Sequence, residues 1–507
     1  MIVWKMICKL WILCALICPL GMFDAVGTAQ VTLPVVLGSH MVVQRELPVH
    51  VWGKGIPGQV ITVRFRNERQ SSKVDDLGRW SIYMGPGAAG GPFEMSIASG
   101  DAGQDSIVLT DVFVGDVWVA SGQSNMEFPL RQDVNAKEAL SSADCSNVRF
   151  LVIGHAASDY PLDDVNSDGW KVSNRVTASE VSAVAWYFAR EVQQREKVPV
   201  GVIQATWGGT PVEAWTSLFA IGDDAASHPI FSAYARTTQR QLDDKAKLSE
   251  AERRAREMIS LGESAPKLPS ITHLESWTPG WLYNAMIAPL TELGIKGVLW
   301  YQGEANTDSE RAPLYGRIFR DLIVDWRRQW NSGMFPFLFV QIANFTATSD
   351  AEWAVVRDGQ SKALEIRNTA MVVTVDLGEA ENVHPRNKQG VALRLALAAR
   401  AQAYGEAVED SGPVFRQAIP AGTSLRLWFE HSSGLTAKEQ ELTGFEVAGV
   451  DGRFVQAIAK IDGQSVMVSS PSVVEPVYVR YGWANNPQCN LYNFAGLPAS
   501  PFNSMRQ

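Results

Sequence analysis

The chain is poor in cysteine, with five among 507 residues. Cys8, Cys14 and Cys18 fall within the first 29 positions, so only Cys145 and Cys489 belong to the body of the protein. Two cysteines so far apart make no disulfide framework, and nothing in the chain has metal-ligand spacing. Positive charge is also short. A formal net charge of −9 argues against nucleic acid and anionic membrane as partners. Long apolar runs are missing too: beyond the N-terminus none reaches membrane-spanning length, so no membrane anchor is expected. The N-terminus itself carries Lys5 and Lys9, an apolar stretch over 10–20 and small residues ending Gly27-Thr28-Ala29. That order reads as a secretory signal peptide over 1–29, which implies an exported protein, periplasmic or extracellular. Tryptophan, by contrast, is abundant at 17 residues. Most should pack the core or its rim, and some can stack on sugar rings.

The body divides by the grammar of its apolar residues. Over 30–108, short period-two runs such as Val60-Ile61-Thr62-Val63-Arg64-Phe65 alternate with Gly, Pro and Asp turns, which predicts a small β-sandwich-like module. From 109 to 410 strands alternate with helices. Five apolar strands are expected, over 112–119, 200–205, 296–300, 337–342 and 371–375. Helices are expected over 183–196, from Pro313, over 352–366 and from Pro385 to about 404. This is the pattern of a parallel, doubly wound sheet in a three-layer α/β/α domain. An insertion over 218–280 contains a charge-rich helical stretch at 239–257. The remainder, 411–507, is β-rich again and reads as a C-terminal module whose tail folds back toward the site.

In such sheets ligands bind beyond the carboxyl ends of the strands. Four expected strands end there in polar or glycine-rich peptides. The first runs into Ala120-Ser121-Gly122-Gln123-Ser124-Asn125-Met126-Glu127, placing Ser124 at a strand-to-helix junction where backbone N–H groups favour developing negative charge. The G-x-S-x-G elbow is not matched, because Met126 stands where its second glycine would be. The other three peptides are Trp207-Gly208-Gly209-Thr210, Tyr301-Gln302-Gly303-Glu304 and the loop Asp376–Pro385, which carries His384.

A serine hydroxyl needs a neighbouring base to become a nucleophile, and of the seven histidines His384 is the one at a strand end. A histidine base is oriented by a carboxylate. Glu381, three residues earlier, and Asp376, at the strand end, are the two candidates, with the triad logic favouring Glu381. For the oxyanion the available donors are the N–H of Ser124, an N–H of Gly208 or Gly209, and the amide of Gln302. Glu304 stands beside them, where it either lines the site or caps a helix. Trp207, Trp300 and Tyr301 either wall the cleft or pack the core.

These segments resemble the sialate O-acetylesterase family, a branch of the SGNH hydrolases. The resemblance rests on Met41-Val42-Val43-Gln44-Arg45, Ser121-Gly122-Gln123-Ser124-Asn125-Met126-Glu127, Trp207-Gly208-Gly209-Thr210 and Trp300-Tyr301-Gln302-Gly303-Glu304. It continues in Val383-His384-Pro385-Arg386-Asn387-Lys388-Gln389 and in the tail Trp483-Ala484-Asn485-Asn486-Pro487. It implies an SGNH-type domain and cofactor-free, metal-free hydrolysis of acetyl esters on an O-acetylated carbohydrate. Ser124 would be nucleophile, His384 base, and a glycine of the 208–209 pair with Gln302 the oxyanion donors. Members typically carry Asp three residues before the histidine, where Glu381 stands, and often Asp where this chain has Asn382, so a Ser–His dyad is an open alternative. Sialic acid esters are the first expected substrates, acetylated xylan the alternative, and a non-catalytic glycan binder the remote one.

Overall fold

The structure, a computed structural model, describes residues 31–99, 105–261, 264, 274–348, 351–438 and 441–506. The signal-peptide segment and part of the 218–280 insertion lie outside them.

The strand that leads to Ser124 is longer than its apolar run and covers Asp105–Gly122. Its first part pairs antiparallel with Gly90–Ser99 and parallel with Val42–Gln44. Its second part runs parallel between Val200–Thr206 and Gly297–Tyr301. The pattern explains both roles: residues 106–110 are mostly exposed, whereas 112–122 are buried without interruption. A strand covered on one face keeps solvent-facing positions, and one covered on both becomes a continuous apolar run. The expected boundary at 108–109 therefore falls inside one strand that the N-terminal and central regions share.

The N-terminal region is built of short strands as expected, Val60–Phe65 among them, with Val42–Gln44, Val49–Lys54, Arg79–Met84 and Gly90–Ser99. It adds Glu68–Lys73, a polar and largely exposed hairpin partner of Val60–Phe65 with no apolar residue to signal it. The central sheet has the order Thr369–Val372, Phe337–Val340, Gly297–Tyr301, Asp105–Gly122, Val200–Thr206, Cys145–Val152 and Trp170–Ser173. All neighbours are parallel except the last pair. Cys145–Val152 is a sixth parallel strand beyond the five expected, its apolar pattern broken by Ser146, Asn147 and Arg149.

Alternate residues of these strands face two separate cores. Trp118, Ala120, Val202 and Leu299 pack with Val184, Phe188 and Leu395 of helices Ala183–Glu196 and Lys388–Gln402. Val117, Val119, Val298 and Trp300 pack instead with Tyr315, Phe319 and Trp326 of helix Ala312–Trp330 and Val356 of Trp353–Lys362. This is the three-layer α/β/α arrangement. One helix starts later than expected, at Lys388 rather than Pro385, because the Asn387 side chain caps it by accepting the Gly390 N–H at 3.0 Å. The insertion helix is longer than expected and runs over Pro229–Ser260. The C-terminal strands enclose a core of their own around Leu427, Val466, Val479 and Tyr481. Their tail returns to the central region, where the Arg357 guanidinium donates to the carbonyls of Ala484 and Asn485 at 2.8 and 3.0 Å. Among the described residues no helix is long and apolar enough to cross a membrane.

Candidate active site

Three strand ends are stitched together around Ser124. The Gln123 N–H donates to the Tyr301 carbonyl at 3.0 Å, and the Trp207 N–H donates to the Gly122 carbonyl at 3.1 Å. The Gln123 side-chain oxygen accepts from the N–H groups of Gly303 and Ala305 at 3.3 and 3.1 Å. Gly122 lies at φ +132°, and a Cβ there would stand 2.1 Å from the Tyr301 carbonyl oxygen. Only glycine permits that approach. Ser124 then opens the single-turn helix Ser124–Glu127, where its N–H has no acceptor within the helix.

His384 arrives from the loop after Thr369–Val372. Its Nε2 lies 2.8 Å from Ser124 Oγ, and both side chains are half-buried. Burial and the positive charge of Lys388 hold the imidazole below its ordinary pKa. The neutral ring is the form that accepts the hydroxyl proton. Beside the pair, Phe128, Gln132, Asn382, His384 and Arg386 line an open recess of ≈ 390 Å³.

The structure does not bring an acid to Nδ1. Glu381 is exposed, and Asp376 is held by Arg394 through two contacts of 2.7 Å. Among the described residues no carboxylate hydrogen-bonds the ring. The loop is instead closed by Asn382, whose Oδ1 accepts the His384 N–H at 3.0 Å while its amide donates to the His384 carbonyl at 2.8 Å and to Glu379 at 3.1 Å. Glu379 also accepts the Arg386 N–H at 2.6 Å, which, with the Asn382 amide, lowers its pKa. The three-residue spacing presumed a turn pointing residue 381 at the ring. The tight turn centred on Asn382 faces that side chain outward.

The expected oxyanion donors separate. Gln302 is fully buried, and its amide donates to the Thr210 carbonyl at 3.1 Å and to Asn306 at 2.7 Å, so neither hydrogen is left for a substrate. Asn306 in turn donates to Glu213, which pairs with Arg311 at 2.9 Å. Gly208 packs against Ser124, but its N–H donates to Glu127 Oε2 at 2.6 Å. Gly209 is exposed at φ +73°, and its N–H has no acceptor among the described residues. The donors that remain are the N–H groups of Ser124 and Gly209. Trp300 and Tyr301 are buried core residues and do not wall a cleft. Trp207 does reach the surface, stacked on His155 with centroids 4.5 Å apart, and His155 bonds Glu127 Oε1 at 2.7 Å.

Three further residues surround the nucleophile from below. Asn125, buried, donates to Glu304 Oε1 at 2.5 Å and to the Val383 carbonyl at 3.0 Å, and its Oδ1 accepts from Lys388 Nζ. Glu304 thus lies beneath the site as a partner of Asn125, and burial raises its pKa. Asn125 and Lys388 stand in the motifs that carry the family resemblance, but neither has a role legible in the sequence, since nothing in a polar residue type signals burial.

Residues 264–403 match the family described as carbohydrate esterase, sialic acid-specific acetylesterase. The mouse sialate O-acetylesterase is 30% identical to this chain, over 92% of the chain and 93% of the relative. The chain belongs to the sialate O-acetylesterase family. The human member is 29% identical, with 92% of this chain and 91% of the relative covered. Among solved structures, a carbohydrate acetylesterase from Xanthomonas citri superposes with a TM-score of 0.81 at 36% identity, over 94% of this chain and 99% of the other. As a member of the sialate O-acetylesterase family the protein is a carboxylic ester hydrolase, and the non-catalytic alternative falls away.

Proposed function

We propose that this protein is an exported carbohydrate O-acetylesterase that works by serine nucleophilic catalysis, with O-acetylated sialic acid as its substrate. The observation that carries the mechanism is the 2.8 Å contact between Ser124 Oγ and His384 Nε2 at the open end of the parallel sheet. Ser124 Oγ attacks the acetyl carbonyl carbon as its proton passes to His384 Nε2, and the carbonyl π electrons move onto oxygen. The N–H groups of Ser124 and Gly209 donate to that oxyanion. Collapse of the intermediate expels the sugar oxygen, which takes the proton from His384. A water molecule then gives its proton to the same ring, attacks the acyl-enzyme and releases acetate, restoring Ser124.

With no carboxylate among the described residues hydrogen-bonded to the imidazole, we read the pair as a dyad in which the Asn382 turn fixes the ring's backbone. The names of the relatives support a sugar acetyl ester, and sialic acid in particular. The Trp207–His155 stack beside Glu127, with Trp207 half-buried and His155 exposed, offers an apolar face with polar neighbours, suited to a sugar ring. Export is supported by the charged and then apolar N-terminal segment.

The test is acetate release from p-nitrophenyl acetate, O-acetylated sialic acid and acetylated xylan, by the parent and by Ser124→Ala. Loss of the nucleophile should lower turnover by roughly 10³-fold or more while leaving a residual rate from the oxyanion donors. Unchanged turnover in Ser124→Ala would sink the mechanism. Turnover of acetylated xylan but not of the sialic acid ester would transfer the reading to plant polysaccharide.

A further inference from the structure

Lys388 is a fully buried charged residue near the reacting pair that the chemistry above does not use. Its side chain is fully buried at the first turn of helix Lys388–Gln402, a helix end that does not favour a cation. Nζ donates to Asn125 Oδ1 and lies 4.9 and 5.5 Å from the ring centroids of Phe128 and Tyr301. Asn125 holds three things at once. It follows Ser124 in the chain, it grips the Val383 carbonyl one peptide before His384, and it bonds Glu304. A single ammonium therefore anchors the residue that joins the nucleophile's segment to the base's loop.

A buried lysine costs stability unless something offsets the loss of water. Offsetting groups come from every side. Glu304 follows Gly297–Tyr301, Glu379 belongs to the histidine loop, and Asp133 accepts the Lys388 backbone N–H at 2.8 Å. Burial nevertheless dominates, and the ammonium's pKa is pushed down to about 7. Its charge acts on His384, whose own pKa it lowers together with burial.

We propose that Lys388 is a positioning residue for this ester hydrolysis: its buried ammonium locks Asn125 between Ser124 and the Val383–His384 peptide, and so sets a positive charge in the same hydrogen-bonded cluster as the base. The proposal rests on the Ser124–His384 reading above. The neutral ring is the working base, so rate is lost as pH falls through the histidine's pKa. Taking away a nearby positive charge raises that pKa, and the acid limb of kcat/KM should move to higher pH.

The experiment compares the full pH profile of kcat/KM for p-nitrophenyl acetate in the parent, Ser124→Ala, Lys388→Gln and Lys388→Arg. Lys388→Gln keeps a donor for Asn125 but no charge. Its acid limb should rise by about half a pH unit or more, and kcat should fall about tenfold with KM little changed, because Lys388 lies beneath the substrate rather than against it. Lys388→Arg keeps the charge and should keep the limb where the parent has it. An unmoved limb in Lys388→Gln, or the same upward shift in Lys388→Arg, overturns the proposal. If Lys388→Gln does not fold, Lys388→Met takes its place, and the His384 resonance, assigned by its loss in His384→Ala, is titrated in that variant and in the parent. A midpoint higher in Lys388→Met than in the parent upholds the proposal, and an equal or lower one overturns it, because burial acts in both. Parent activity that survives Ser124→Ala would instead mean that the serine reading had failed.

Discussion

The two halves of the reacting pair are held in different ways. Ser124 is fixed by backbone: Gly122 presses on the Tyr301 carbonyl, and Gln123 is bonded through its N–H to Tyr301 and through its side chain to Gly303 and Ala305. His384 is fixed by side chains: Asn382 and Glu379 tie a tight turn to itself, and Asn125 reaches across to its neighbour Val383. The first arrangement is buried and leaves little room for substitution. The second is half-buried and built from pieces that can be exchanged singly. The nucleophile's position should therefore fail all at once, with the fold, and the base's position by degrees, with rate alone.

The largest effect is expected at Gly122. Gly122→Ala would put a Cβ at 2.1 Å from the Tyr301 oxygen in a backbone conformation that side chains rarely adopt. The central strands would have to part, and we expect a loss of about 4 kcal/mol or more, seen as a collapse of the urea midpoint together with activity. A midpoint near the parent's would show that the strand ends are looser than their hydrogen bonds indicate.

An intermediate effect is expected in the loop. Asn382→Ala removes three hydrogen bonds that close the turn but leaves the strands untouched. Turnover should fall about tenfold while stability drops by no more than ~1.5 kcal/mol, read as kcat beside a melting curve. A stability loss as large as that of Gly122→Ala would erase the distinction between the two sides.

The same contrast governs what the sequence could reveal. Apolar runs at 112–119, 200–205 and 296–300 announced the sheet because burial on both faces leaves a compositional trace, and the sheet's topology then collected Ser124, the 208–209 glycines and His384 at one edge. Cys145–Val152 left a weaker trace because Ser146, Asn147 and Arg149 break its run. Hydrogen-bond assignment leaves none. Gln302 was legible as a residue at the right strand end, but its amide is spent on Thr210 and Asn306, partners set by tertiary packing. Lys388 stood in the sequence only as one letter of a polar motif, and the enclosing rings show it to be buried.

The smallest effect is expected at Glu381, and it bears most directly on the chemistry. Spacing alone pointed to this carboxylate as the histidine's partner, yet its side chain is exposed and hydrogen-bonds no ring atom. Glu381→Ala should leave kcat/KM within about twofold of the parent, as for a surface substitution. A working triad loses about 10⁴ in turnover when its acid is disabled, so the two outcomes lie far apart. A loss of that size would mean that substrate binding refolds the Asn382 turn and swings residue 381 onto Nδ1. A change within twofold would leave the turn itself as what orients the ring, with Lys388 and burial keeping it neutral where other serine hydrolases use a carboxylate to stabilise its charge.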